Sequence, residues 1–164
     1  MRQPLIFQIV GFKNTGKTTL LCKLIPKLTE RGYRVGTVKH DAHDFQMDHE
    51  GKDTWRYAEA GAHVVAITSS SKTAILEQHS TPLEELVEKI ASVDIILVEG
   101  FKNESYPKIV LLRTEEHAEL LDRLSHVVGV ATWFDWTNPS LPAYHIDDVE
   151  KMAKAISELM EKRR

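Results

Sequence analysis

The stretch Leu5-Ile6-Phe7-Gln8-Ile9-Val10-Gly11-Phe12-Lys13-Asn14-Thr15-Gly16-Lys17-Thr18-Thr19-Leu20 runs from a mostly apolar segment through a glycine-bounded turn into a helical pattern. Leu5 to Val10 reads as a buried parallel strand, because it is short, largely apolar and stopped by Gly11. Gly11 to Thr18 matches G-x-x-x-x-G-K-[ST], and each fixed position has a physical task. The glycines permit backbone angles that turn successive N–H groups onto phosphate oxygens. A helix opening near Lys17 adds its positive end to the same anion site. Lys17 reaches the β- and γ-phosphates, and the Thr18 hydroxyl enters a Mg2+ shell. The expected nucleotide-binding residues are therefore Gly11, Lys13, Asn14, Thr15, Gly16, Lys17, Thr18 and Thr19.

Outward from this loop, Leu20, Leu21, Leu24, Ile25 and Leu28 repeat at helical spacing up to Gly32, with Pro26 inside the pattern as an expected kink. Residues 34–39 read as a second strand, and 40–52 as a polar loop. Residues 53–61 predict a short helix. Residues 64–68 and 73–77 predict strands joined through Ser69-Ser70-Ser71, as in a hairpin. A helix over 82–91 precedes a buried strand at 94–99. Strand, helix and strand follow at 108–112, 115–124 and 127–131, and an amphipathic helix closes the chain at 148–162. Such alternation predicts an α/β fold of the P-loop NTPase kind: a mostly parallel sheet with helices on both faces, one antiparallel hairpin, and a single domain over 1–164.

The bulk numbers suit that picture. The chain has 164 residues, 42% hydrophobic and 27% charged, with a formal charge of −3. That size supports one substantial core, and the slight acidic balance gives no reason to expect nucleic acid or an anionic membrane as partner. The lone cysteine, Cys22, excludes an intrachain disulfide and is expected as a small buried side chain. The N-terminal segment is too short for a signal-peptide core, and no apolar run approaches the ~20 residues that span a bilayer. A cytoplasmic protein is expected.

A Mg2+-bound nucleotide needs an acid at the end of a neighbouring strand. Asp94-Ile95-Ile96-Leu97-Val98-Glu99 supplies one. Glu99 falls where the carboxyl ends of parallel strands face the ligand crevice, and is expected to hold a Mg2+ water or polarise the attacking water. Asp94, at the other end, is read as structural. The guanine-reading Asn-Lys-x-Asp is absent, and Asp48-His49-Glu50-Gly51 matches D-x-x-G without an apolar strand before it, so that match is set aside. Lys39, His40, His43, Asp44, Lys52 and Asp53 form a candidate second-ligand or switch segment, for an anion or a metal. Two rivals stand beside the reading as a triphosphate-binding accessory protein: a small-molecule kinase, and a metal-delivery GTPase using His40, His43 and His49. The scarcity of arginines after Glu99, only Arg113 and Arg123 before the terminal pair, counts against a kinase.

The chain resembles the molybdopterin-guanine dinucleotide biosynthesis protein B (MobB) family of P-loop GTPases. The resemblance rests on the P-loop with Thr19-Leu20-Leu21, Leu24-Ile25-Pro26, Lys39-His40, His43-Asp44, Gly51-Lys52-Asp53, Ala60-Gly61-Ala62 and Leu97-Val98-Glu99-Gly100-Phe101-Lys102. Lys108-Ile109-Val110-Leu111 and Ile146-Asp147-Asp148-Val149 extend it over almost the whole chain. It implies a GTP- and Mg2+-binding, weakly hydrolysing accessory protein. Such a protein assists a separate guanylyltransferase that attaches GMP to molybdopterin, and acts as a homodimer with nucleotide sites near the subunit interface. It also gives the 39–53 segment an expected task, contact with the nucleotide or the pterin phosphate. Lys13 stands one place later than the extra lysine of the wider deviant P-loop class, so no contact across a dimer is assigned to it.

Overall fold

The computed structural model describes residues 3–41, 43–138 and 140–163. In chain order its elements are β1 (Leu5–Gly11), α1 (Lys17–Glu30), β2 (Val35–Lys39), α2 (Asp53–Glu59), β3 (Val64–Thr68) and β4 (Thr73–Glu77). They continue with α3 (Leu83–Lys89), β5 (Ile95–Glu99), β6 (Lys108–Leu112), a 3₁₀ segment (Glu115–Asp122), β7 (Val127–Thr132), β8 (Ala143–His145) and α4 (Val149–Glu161). The chain forms two compact units, residues 1–40 with 86–164, and residues 41–85.

The first unit is built on a six-stranded sheet in the order β2-β5-β1-β6-β7-β8, in which every pairing is parallel. β1 lies inside the sheet with Ile9 opposite Glu99 on one side and Ile109 on the other. Its alternation sorts the core into two layers. Leu5, Phe7 and Ile9 join Ile95, Leu97, Ile109 and Leu111 on one face, against Leu20, Leu24 and Leu28 of α1 and Met152, Ala153 and Ile156 of α4. Val10, Val110, Leu112 and Val130 form the other layer with Leu120 of the 3₁₀ segment. Burial on both faces explains why β5 and β6 read as continuous apolar runs rather than alternating ones.

The mostly parallel sheet follows the sequence expectation, and four details differ from it or refine it. β8 was not expected; it is three residues long, too short to show a periodicity. The helix expected over 115–124 is a 3₁₀ segment, with bonds from His117 N–H to Thr114 O and from Arg123 N–H to Leu120 O. α1 runs on through Pro26, as expected, and closes at Glu30, just short of Gly32. Cys22 is exposed rather than buried, because Leu20, Leu21, Leu24 and Leu28 occupy the inward stripe of α1 and leave position 22 on the outward face.

At the amino ends of the strands, Asp94 accepts the Arg34 backbone N–H at 2.7 Å and the guanidinium at 3.2–3.3 Å. The Arg34 hydrogen bonds hold the Asp94 carboxyl below its ordinary range. Asp94 thus ties β2 to β5, the structural part expected of it. In the second unit β3 and β4 pair antiparallel with Thr68 opposite Thr73, the expected hairpin. The turn is closed by Ser69 N–H donating to Lys72 O at 2.9 Å.

The core assignment of α4 carries a test. Ile156 is fully buried among α1 and sheet side chains, so Ile156→Ala is expected to cost about 2–5 kcal/mol. Urea unfolding would show it as a lowered midpoint with an unchanged slope. A loss below about 0.5 kcal/mol, the size of a surface effect, would contradict the packing.

Candidate functional site

The loop between β1 and α1 owes its shape to three local devices. Asn14 and Gly16 adopt left-handed backbone angles, φ 61° and 96°, and asparagine is among the few side-chain-bearing residues that tolerate this region. Gly11 serves differently from the sequence expectation, since its φ is not positive. A Cβ there would stand 2.8 Å from Thr15 Oγ1 and 3.0 Å from Leu111 O, so Gly11 supplies clearance rather than an unusual angle. The buried Thr15 hydroxyl donates to Phe12 O at 2.9 Å and closes the loop on itself. Lys17 Nζ then lies across it, donating to Phe12 O at 2.7 Å and Gly11 O at 3.3 Å. Lys13, Asn14, Thr18 and Thr19 are exposed on the loop and the first turn of α1.

Beside the loop, Thr18 Oγ1 donates to the Glu99 carboxylate at 3.0 and 3.2 Å. Residues 81 positions apart in sequence meet here because α1 begins over the carboxyl end of β1 and β5 is the adjacent strand. A hydroxyl and a carboxylate side by side are hard oxygen donors. They suit a Mg2+ that keeps waters and takes its other ligands from phosphate. Lys39 is opposite Glu99 on β2, and His40 N–H donates to Glu99 O at 2.9 Å.

Positive charge gathers around Glu99. Burial pushes the Lys17 ammonium below its ordinary pKa; Glu99 opposes the shift, and Lys102 and Lys39 add to it by repulsion. Cations held close together at the mouth of a loop rich in backbone N–H groups suit an anion, and they outnumber the carboxylate among them.

Sequence reasoning missed the residues that place Lys102. Gln8 is fully buried in β1, and its Nε2 donates to Gly100 O at 3.0 Å and Phe101 O at 2.7 Å. Gly100 takes a positive φ freely, but Phe101 takes one too, at 52°, so the turn is strained at Phe101 and the two carbonyl bonds pin it. Lys108, also fully buried, donates from Nζ to Glu104 O and Ser125 O at 2.7 Å. Lys102 Nζ consequently sits 5.1 Å from the Phe12 ring centroid. A polar residue in an apolar strand, as at Gln8, was the available signal. Trp133 was missed as well: it follows β7, its Nε1–H donates to Thr15 O at 3.0 Å, and Arg113 stacks 4.2 Å from its ring centroid.

The 39–53 candidates divide between the units. Lys39 and His40 belong to the first, beside Glu99 and with the His40 ring 4.7 Å from that of Phe101. His43, Asp44, Lys52 and Asp53 belong to the second. There the His43 N–H donates to Asp41 Oδ1, and Asp53 opens α2. Asp48 accepts the His49 N–H at 2.8 Å and shapes its own turn. Among the described residues no group of three or more His, Cys, Asp or Glu side chains is placed to hold a metal ion. Among them, too, no helix is long and apolar enough to cross a membrane.

A glycine-bounded loop between an inner strand of a parallel sheet and its following helix makes this a P-loop α/β protein. The comparisons with known proteins narrow that class. The model of the family described as Molybdopterin guanine dinucleotide synthesis protein B (MobB) matches residues 6–133, and the chain belongs to this family. It is 43% identical over 128 residues to a molybdopterin-guanine dinucleotide biosynthesis adapter protein of Haemophilus influenzae, covering 76% of this chain and 72% of the relative. It is 37% identical over 169 residues to the adapter protein of Escherichia coli, covering 96% and 94%. A crystal structure of molybdopterin-guanine biosynthesis protein B superposes with a TM-score of 0.79 at 30% identity, over 96% of this chain and 99% of that one. A MobB homologue from Bacillus stearothermophilus gives 0.77 at 27% identity, over 96% and 98%.

The lowered Lys17 pKa predicts how anion binding depends on pH. A bound triphosphate favours the charged ammonium and raises its pKa. Affinity is therefore full below the depressed pKa of the free protein and falls as pH rises through it, with proton uptake on binding in that window. Titrations of Mg·GTP at increasing pH, from neutrality towards the ordinary lysine range, should show this fall in the native protein. A flat profile would remove Lys17 from the phosphate contact.

Proposed function

We propose that this chain is a GTP-binding accessory protein of molybdenum cofactor biosynthesis. It assists a separate guanylyltransferase in attaching GMP to molybdopterin, as a cytoplasmic homodimer. Membership of the MobB family and the adapter role printed in its relatives' names support the pathway. The observation that carries the nucleotide reading is the Thr18–Glu99 pair beside the Lys17-spanned loop. In this reading the backbone from Asn14 to Thr19 and the Lys17 ammonium hold the phosphates, and Thr18 and Glu99 hold Mg2+, which neutralises phosphate charge. Preference for guanine rests on the family resemblance.

Hydrolysis by the isolated protein is slow in this account. Glu99 is the carboxylate that orients water, while Arg113 stacks on Trp133 rather than acting as a finger, a role worth ~10³ to 10⁵ in rate. Lys39, beside Glu99, supplies positive charge for a second anionic group, the pterin phosphate, and His40 next to it adds a hydrogen-bonding imidazole.

The test is guanylation of molybdopterin by the family's guanylyltransferase with Mg·GTP, with and without this protein. The native chain is expected to raise the rate or yield, Lys17→Ala to lose that effect, and Lys39→Ala with His40→Ala to weaken it. Equal stimulation by native protein and Lys17→Ala would contradict the proposal.

A further inference from the structure

The nucleotide reading leaves the base without a seat, and the sheet order indicates where it lies. In that reading Thr18 and Glu99 put the metal and the terminal phosphates on the β5 side of β1. Ligands of open parallel sheets lie in the crevice outside the carboxyl ends of the strands, and on the other side of β1 that crevice runs over β6 and β7. β7 is two strands from β1, about 10 Å away at ordinary strand spacing, a span that ribose and one phosphate cover.

Trp133 stands at that end, immediately after β7. Its indole edge is fixed against the loop. Nε1–H donates to Thr15 O at 3.0 Å, and a Cβ on Gly16 would stand 3.0 Å from the ring carbon Cζ2. One face carries the Arg113 guanidinium at 4.2 Å. The side chain nevertheless remains 41% exposed. A peg that merely closed the phosphate loop would account for the indole edge but not for a large aromatic surface left to solvent at the crevice.

We infer that Trp133, backed by Arg113, is the stacking platform for the base of the bound nucleotide. The inference rests on the phosphate-site reading above and extends it to the base. Stacking on an indole uses the π-face that every base possesses, and an arginine behind the ring adds a cation–π contribution. The platform therefore strengthens binding of purine nucleotides in general. It does not choose between guanine and adenine.

The test compares Mg·GTP, Mg·ATP and Mg·tripolyphosphate by calorimetry on the native protein, Trp133→Ala and Trp133→Phe. Tripolyphosphate has the phosphate chain without the base. Trp133→Ala is expected to weaken both nucleotides by about 5- to 100-fold and to leave tripolyphosphate unchanged, while Trp133→Phe recovers most of the loss. Equal weakening of nucleotide and tripolyphosphate would make Trp133 a peg of the loop and overturn the inference, as would unchanged nucleotide binding. Failure of the native protein to bind tripolyphosphate or nucleotide would instead bring down the phosphate site, and the base seat with it. Should Trp133→Ala not fold, emission from a Trp55→Phe, Trp136→Phe background decides the matter. Quenching by GTP but not by tripolyphosphate supports stacking, and no difference between them refutes it.

Discussion

The close return of the chain over Gly11 is the constraint on which the site depends. With no Cβ at this position, Thr15 can swing its hydroxyl over the strand end to Phe12 O, and the loop closes tightly enough for Lys17 to span it. Any larger residue would meet Thr15 Oγ1 and the Leu111 carbonyl of β6 together. One of those is backbone in a buried strand and cannot yield. The loop is therefore set by the sheet beneath it, through β1 and β6, and not by its own sequence alone.

Around that loop the fold converts buried polar groups into position. Gln8 and Lys108 occupy strand positions where apolar residues would pack; Gln8 donates to two backbone carbonyls of the connection between β5 and β6, and Lys108 to one there and to Ser125 O before β7. Burial lowers the Lys108 pKa, a cost that the two carbonyl bonds offset. The result is a fixed turn after Glu99, with Lys102 brought near Phe12 and Lys17. On the opposite side of β1, Trp133 and Arg113 lie against the same loop. The carboxyl edge of the sheet thus carries oxygen donors and cations at β5 and β2, and an aromatic surface at β7.

Much of this was legible in the sequence because it is local or periodic. The loop pattern, the inward stripe of α1, the apolar runs of β5 and β6, and the hairpin at 64–77 follow from spacing within a few residues. Glu99 could be singled out because a parallel strand ending in a carboxylate has only one end near the ligand crevice. Contacts across the sheet were not legible. Nothing near Trp133 in sequence announces its bond to Thr15 at a separation of 118 residues. Gln8 reads as one polar residue in a strand, and a small apolar Cys22 within a helix suggests burial until Leu20, Leu21, Leu24 and Leu28 define the inward stripe that leaves it exposed. The role of Gly11 was misattributed for a related reason: clearance from Leu111 is a property of the β1–β6 register, which no single segment displays.

The account stands on Lys17, Thr18 and Glu99 forming one Mg2+-assisted phosphate grip. The most direct measurement is a calorimetric titration of GTP and ATP, each with and without Mg2+, against the native protein and Lys17→Ala. The account predicts Mg2+-dependent binding that prefers GTP by tenfold or more, about 1.4 kcal/mol. It also predicts that Lys17→Ala loses this binding while keeping the native melting temperature. Unchanged affinity in Lys17→Ala would contradict the phosphate site, and a preference for ATP would contradict its assignment to GTP.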